Sequence, residues 1–284
     1  PQLRALGVDV RVALPVRVGR KAARFDLRNH RKLVVVDGRV GYTGSQNMIA
    51  ADFRPGLTYS ELMVRIEGPS ALQLQAVFAS DWYVETAEYV GDQCFPVPRT
   101  AGDVPAQVLP NGPSSSTQPA QRMVVNLIHL ATKRVVVTTP YFIPGQPFLN
   151  ALETAVLRGA EVHLIVDDHM DQFLVGNAQR SYYEELLAAG VQIHAYTEAF
   201  LHAKSVSIDG HVAWIGTCNM DMRSFELNEE VVALFFDQRI AAQLAMLEER
   251  YMRDARRITL DAWRRRPFAQ ELAQNLARLV SPLL

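Results

Sequence analysis

Two short runs hold the residue types that phosphorus chemistry needs: His30-Arg-Lys-Leu-Val-Val-Val-Asp-Gly and His202-Ala-Lys-Ser-Val-Ser-Ile-Asp-Gly. Counted from each histidine, lysine falls at +2 (Lys32, Lys204), aspartate at +7 (Asp37, Asp209) and glycine at +8 and +14 (Gly38, Gly44; Gly210, Gly216). A hydroxyl follows at +15 (Ser45, Thr217) and asparagine at +17 (Asn47, Asn219). One such run can arise on any half-buried strand with alternating polar residues, but two in ungapped register mark an internal repeat. A shared turn would explain the glycines and leave the two His-Lys pairs without a reason.

Exchange at a phosphodiester needs a nucleophile on phosphorus, a proton donor for the leaving oxygen and positive donors for the non-bridging oxygens. Each run supplies half of that list. Imidazole, with an unperturbed pKa of ~6.5, serves as either nucleophile or acid, so two equivalent histidines can divide the roles. Lys32 and Lys204 are read as phosphoryl-binding cations, and Ser45, Asn47, Thr217 and Asn219 as neutral donors to the substrate. This chemistry calls for no cofactor and no metal.

The elements that position these groups follow from spacing. His and Lys at i and i+2 on a strand share one face; the motif aspartates Asp37 and Asp209 are counted with them in the catalytic motif, although they fall on the other face, which reads as structural. The glycines at +8 and +14 fit turns on either side of a returning strand. Upstream, Ala5-Leu-Gly-Val-Asp-Val-Arg-Val matches Ala188-Ala-Gly-Val-Gln-Ile-His-Ala, a helix end, a glycine stop and a strand. The first copy has eleven more residues between that glycine and its histidine, a basic insertion with Arg17, Arg20, Lys21, Arg24 and Arg28.

In the second copy, strand patterns at residues 134–142 and 161–166 and helical patterns near 147–157 and 181–189 precede the motif. Only 29 residues precede His30. The early elements of the first copy, and any membrane anchor with them, are therefore expected to lie outside this chain. Turn residues concentrate from Pro96 to Pro119, which suggests a division into residues 1–104 and 105–284. Residues 238–251 read as an amphipathic helix. The tail from Trp263 joins Arg264, Arg265 and Arg266 to Phe268, Leu272, Leu276 and Leu279, a pattern that suits a docked terminal helix or a helix lying on lipid.

Basic and acidic residues nearly cancel, 29 against 30, so no global charge selects nucleic acid or an anionic surface. Cys94 and Cys218 show no metal-ligand spacing and no disulfide framework. The apolar runs are of strand length, well short of the ~20 residues of a spanning helix.

The paired motifs resemble the phospholipase D superfamily, in which two His-x-Lys-x4-Asp motifs meet at a pseudo-twofold interface. The resemblance implies an α/β fold: two mixed β-sheets flanked by helices, duplicated with pseudo-twofold symmetry, the first half incomplete here. It also implies that one histidine forms a phosphohistidine while the other protonates the departing alcohol, with His30 the nucleophile by the family's usual order. The residues themselves leave that order open. Glu61 and Glu230, about thirty residues after each histidine, hold the places of the family's imidazole-orienting acids.

Further stretches are similar to bacterial cardiolipin synthases: residues 26–32, Tyr42-Thr-Gly-Ser-Gln-Asn-Met, Thr139-Pro-Tyr-Phe-Ile-Pro, residues 216–228 and the terminal Ser281-Pro-Leu-Leu. This resemblance implies transfer of a phosphatidyl group between two phosphatidylglycerol molecules, giving cardiolipin and glycerol, at the cytoplasmic face of a bacterial inner membrane and without nucleic acid. An apolar-walled site would disfavour water as acceptor, with Tyr141, Phe142, Phe173, Phe200 and Leu201 as wall residues, and the basic insertion would suit anionic head groups. A hydrolase of the same superfamily, a phosphatidylserine synthase and an inert lipid-binding scaffold are the alternatives.

Overall fold

The computed structural model describes residues 2–14, 27–49, 56–113, 115, 117–170 and 172–281. Arg17, Arg20, Lys21 and Arg24 of the basic insertion, Asp26, and Pro282 to Leu284 of the terminal stretch lie outside the described residues.

The first half holds a short helix α1 (Gln2–Ala5), strands β1 (Arg28–Asn29), β2 (Leu33–Val36), β3 (Val40–Gly44), β4 (Tyr59–Ser60) and β5 (Met63–Glu67), and helix α2 (Pro69–Thr86). The β-branched run at 33–36 makes β2, and Asp37 and Gly38, both at positive φ, turn it back into β3. Strands β2, β3 and β5 form a three-stranded antiparallel sheet in that order. Helix α2 starts at Pro69, whose fixed φ and missing N–H suit the first turn.

The second half runs β6 (Ala106–Asn111), α3 (Pro119–Leu130), β7 (Arg134–Thr138), β8 (Phe142–Ile143), α4 (Gln146–Leu157), β9 (Glu161–Asp167), α5 (Phe173–Ser181), α6 (Tyr183–Ala189), β10 (Gln192–Tyr196), β11 (Phe200–Leu201), β12 (Ser205–Ile208), β13 (Val212–Gly216), β14 (Met220–Asp221), α7 (Met222–Glu226), β15 (Asn228–Phe236), α8 (Gln238–Arg253), β16 (Ala255–Ile258), α9 (Leu260–Arg264) and α10 (Phe268–Leu279). The region read as one strand at 134–142 is two, because Pro140 interrupts it. The nine-stranded mixed sheet has the order β1-β15-β13-β12-β7-β9-β10-β16, with β6 also paired to β15. Its inner strands are covered on both faces, which is why β9 and β12 are buried almost throughout instead of alternating. Asp237 caps α8, accepting from the Arg239 and Ile240 amides.

The duplication is visible in register. Leu33 faces Thr43 across β2 and β3, and Ser205 faces Ile215 across β12 and β13, the same offset in both hairpins. Helices α2 and α8 follow the last strand of each hairpin set. An apolar cluster joins the halves: Ile66, Leu74 and Val77 of the first pack against Ala213, Ile215, Val231 and Phe235 of the second. A larger cluster fills the other side of the nine-stranded sheet around Trp214, Phe148 and Leu164.

The tail breaks at Pro267 into α9 and α10. Helix α10 turns Gln274 and Ala277 inward and leaves Phe268, Leu272, Leu276 and Leu279 exposed. Among the described residues no helix is long and apolar enough to cross a membrane.

Candidate active site

Each histidine is delivered to the opposite half by a two-residue parallel strand. Phe200 and Leu201, just before His202, pair with Tyr59 and Ser60, just before Glu61. Arg28 and Asn29, just before His30, pair with Asn228 and Glu229, just before Glu230. The backbone amides complete the exchange, His202 N donating to Ser60 O at 2.9 Å and His30 N to Glu229 O at 2.9 Å. The side chains therefore pair crosswise: His202 Nδ1 lies 2.9 Å from both Glu61 oxygens, and His30 Nδ1 lies 2.8 and 3.0 Å from those of Glu230. With Nδ1–H donated to a carboxylate, each imidazole presents Nε2 as its working nitrogen.

Lys32 and Lys204 are buried behind the histidines, each Nζ donating to the carbonyl of its own motif histidine, at 2.8 and 2.6 Å. Desolvation lowers Lys32 to about 8, against the pull of Glu230 and Glu61. Desolvation, with the neighbouring charge of Lys32, lowers Lys204 to about 7 despite Glu61 and Glu230. His202 falls to about 4, first through burial and then through Lys204, with Glu61 opposing. Burial pushes the Glu61 carboxyl up, but hydrogen bonds from His202 and Ser45 and the charges of His202 and Lys204 outweigh it and leave it below its ordinary value. Lysines of both motifs and carboxylates of both halves thus act on one another, as expected for a single site.

The two histidines are not equivalent. The His30 side chain is 27% exposed and that of His202 9%. Tyr59 and Phe200 stand against His202, each with ring centroids 6.1 Å away, and Tyr141 stands 6.5 Å from Phe200. Of the expected wall residues, Phe200 and Tyr141 take that place. Phe142 and Leu201 belong to the core and Phe173 points to solvent. Tyr59, which no motif marked, completes the wall.

Ser45 and Thr217 correct the sequence reading. Both are fully buried, and their single hydroxyl protons go to the orienting carboxylates, Ser45 Oγ to Glu61 at 2.5 Å and Thr217 Oγ1 to Glu230. They return as acceptors for the Leu62 and Val231 amides, so they hold the glutamates in place and have no proton left for substrate. Asn219 is buried, with its Oδ1, an acceptor, unpartnered among the described residues, and Asn47 holds the matching position in the other half.

The motif aspartates stay out of the cluster. Asp209 lies past the far end of β12, where it accepts from the Thr132, Lys133 and Arg134 amides at 2.8 Å and from Thr132 Oγ1 at 2.9 Å, and Asp37 occupies the matching exposed turn. Asp167, unmarked in the sequence, anchors the approach to His202 by accepting from the Leu201 amide at 2.8 Å. The glycines at +14 also differ from expectation. They end strands, and a Cβ would lie 2.2 Å from Leu62 O at Gly44 and 2.4 Å from Val231 O at Gly216, so close backbone approach is what requires them.

Comparison with known proteins agrees with this architecture. Residues 124–251 match the family described as "Cardiolipin synthase, PLD-like domain". Cardiolipin synthase A of Pectobacterium carotovorum is 37% identical over 99% of this chain and that of Proteus mirabilis 35% identical over 100% of this chain. The chain spans about 60% of the length of these curated relatives. Among solved structures, phosphatidylserine synthase of Haemophilus influenzae superposes with a TM-score of 0.70 at 15% identity, covering 92% of this chain and 72% of that one.

Proposed function

We propose, on the premise that residues 124–251 are a phospholipase D-like domain and that the chain has the phospholipase D fold, that it is the catalytic part of a cardiolipin synthase. One imidazole Nε2 attacks the phosphorus of a phosphatidylglycerol, the bond to the glycerol oxygen breaks, and the other histidine gives that oxygen its proton. The hydroxyl of a second phosphatidylglycerol then surrenders its proton to the same histidine and attacks the phosphohistidine, releasing cardiolipin. The observation that supports this most directly is the crosswise pairing of His30 with Glu230 and His202 with Glu61, which makes one two-histidine site from two half-motifs.

In this reading Lys32 and Lys204 bind the non-bridging oxygens, Asn47 and Asn219 add neutral contacts, and Glu61 and Glu230 fix the tautomers. Residues 1–104 are the later part of one phospholipase D-like domain and 105–284 a second. The aromatic wall of Tyr59, Tyr141 and Phe200 supports a lipid alcohol over water as acceptor, and a lipid substrate places the reaction at a membrane surface, the cytoplasmic face of a bacterial inner membrane. Burial keeps His202 neutral in the resting site, the form an attacking imidazole needs, whereas the family's order makes His30 the attacker.

The test is product analysis of the full-length protein on labelled phosphatidylglycerol in vesicles, beside His30→Ala and His202→Ala. Cardiolipin with stoichiometric glycerol, lost in both variants, is expected. Phosphatidic acid alone would make the protein a hydrolase, and no lipid turnover would overturn the reading. Peptide mapping of the trapped phosphohistidine assigns the attacker: label on His30 follows the family order, label on His202 the resting electrostatics.

A further inference from the structure

We propose that Arg31 is a positioning residue for His30, acting through Glu230; the inference rests on the reading of His30 as a working group of the site. Arg31 stands between His30 and Lys32, in the link between β1 and β2, and its side chain turns to Glu229, Glu230, Asn111 and Asp81. There it is nearly enclosed, its side chain 9% exposed, and the guanidinium is shared among four acceptors. Nε donates to Glu230 O at 2.9 Å, Nη2 to Asn111 O at 3.1 Å and to Glu229 Oε2 at 2.6 Å, and Nη1 to the Asp81 carboxylate. The Asn111 acceptor is itself fixed, because its side chain bridges the Ser224 and Phe225 carbonyls and the Ala120 amide.

The second motif has nothing comparable. Ala203 takes the same position there, buried, with only its backbone amide to donate across the joint, to Ser60 O at 3.1 Å. The difference follows from what surrounds each joint. Strand β11 is buried, with the Leu201 amide held by Asp167, whereas β1 is exposed at both residues. The first joint therefore needs another fastening, and a planar guanidinium with five donors can hold backbone and carboxylate together where an ammonium holds only a point. Glu230 is gripped at its own carbonyl and through its neighbour Glu229, which keeps its carboxylate facing His30 Nδ1. Loosening that grip lets the Glu230 carboxylate turn away from Nδ1, so the tautomer of His30 becomes unfixed.

The test is 15N NMR of the histidine ring nitrogens in the full-length protein, for wild type, Arg31→Ala and Arg31→Lys, with steady-state kinetics alongside. The expected result is a His30 ring held with its proton on Nδ1 in wild type and a mixture of tautomers in Arg31→Ala. Arg31→Lys should lie between the two, with the His202 ring unchanged in both. Activity should fall about 10- to 100-fold in kcat with KM nearly unchanged. A His30 ring unchanged from wild type in folded Arg31→Ala, or an equal change in both histidines, overturns the proposal. Should Arg31→Ala not fold, an unchanged His30 ring in Arg31→Lys does so. The spectra need no turnover, so an altered His30 ring in a protein that makes no cardiolipin would uphold Arg31 and reject the synthase reading.

Discussion

Glu248 lets the electrostatics of this fold be measured without any substrate. It lies on α8 against the nine-stranded sheet, 0% exposed, and accepts one hydrogen bond, from Ser207 Oγ at 2.7 Å. Its Oε1 has no partner among the described residues. Desolvation raises its pKa from 4.5 to about 8, overcoming the Ser207 hydrogen bond and the charge of Arg134. A carboxyl whose folded value lies above its unfolded value binds its proton more tightly in the folded state. Its contribution is complete below the unfolded value and is lost as pH rises to the folded one. The gap of about 3.5 pH units converts, at 1.36 kcal/mol per unit, to roughly 5 kcal/mol, and relaxation around the ionised group reduces this to no less than about 2 kcal/mol. Glu248→Gln keeps the shape and removes the titration, while its extra N–H adds a cost of about 1–3 kcal/mol that does not vary with pH. Urea unfolding of both proteins at pH 5, 6, 7 and 8 should therefore show the variant gaining on wild type by about 2–4 kcal/mol across the series. Parallel stability curves would refute the assignment of a neutral, buried Glu248.

Glu61→Gln and Glu230→Gln should each lower kcat about 10²- to 10⁴-fold, because each leaves the histidine of the other half without its fixed tautomer; full activity in either would remove that glutamate from the site. Lys32 and Lys204, lowered to about 8 and about 7, must be protonated to bind phosphoryl oxygens, so activity should be present below these values and decline above them. Lys204→Arg, which removes the lower of the two titrations, should carry the basic limb of the kcat/KM profile upward toward the Lys32 value, and an unmoved limb would assign that limb elsewhere. Gly216→Ala should cost about 1–3 kcal/mol in thermal or urea unfolding, since the new Cβ meets backbone that cannot give way; a neutral result would mean that β13 and β15 can separate freely.

The repeat was legible because chemistry and strand geometry act on the same spacing. Two residues place His and Lys on one face, and seven place the aspartate on the other face at the hairpin's far end, where Asp209 holds three amides. What the repeat could not reveal is which copy serves which. Glu61 and Glu230 were found at the right distance from their own histidines, yet each serves the histidine of the opposite half, because the two-residue parallel pairs of β1 with β15 and β4 with β11 are tertiary events with no periodic pattern behind them. Ser45 and Thr217 were misread for a related reason. A hydroxyl at +15 is equally able to face substrate or carboxylate, and only burial shows where its proton goes. Tyr59, Asp167 and Arg31 lie in no shared position of the two copies, so comparing the copies could not find them.

The crosswise exchange also decides how stability and catalysis are linked. A histidine paired with a carboxylate of its own half would keep its tautomer whenever that half was folded. Here each imidazole is oriented only while β1 lies on β15 and β4 lies on β11, and those short strands contribute only a few backbone bonds each. They cannot hold the halves together alone, and beyond the Arg31 fastening at the first joint it is the apolar contact of Ile66, Leu74 and Val77 with Ile215, Val231 and Phe235 that does so. A large-to-small change in that contact, such as Ile66→Ala, removes no group from the site, yet it weakens what keeps both glutamates opposite their histidines. Its effect on kcat should therefore exceed that of an equally destabilising change in the separate core around Leu164, measured at a temperature where both variants remain folded. Equal effects would mean that the halves stay docked without this contact, held by the two short strands and by Arg31.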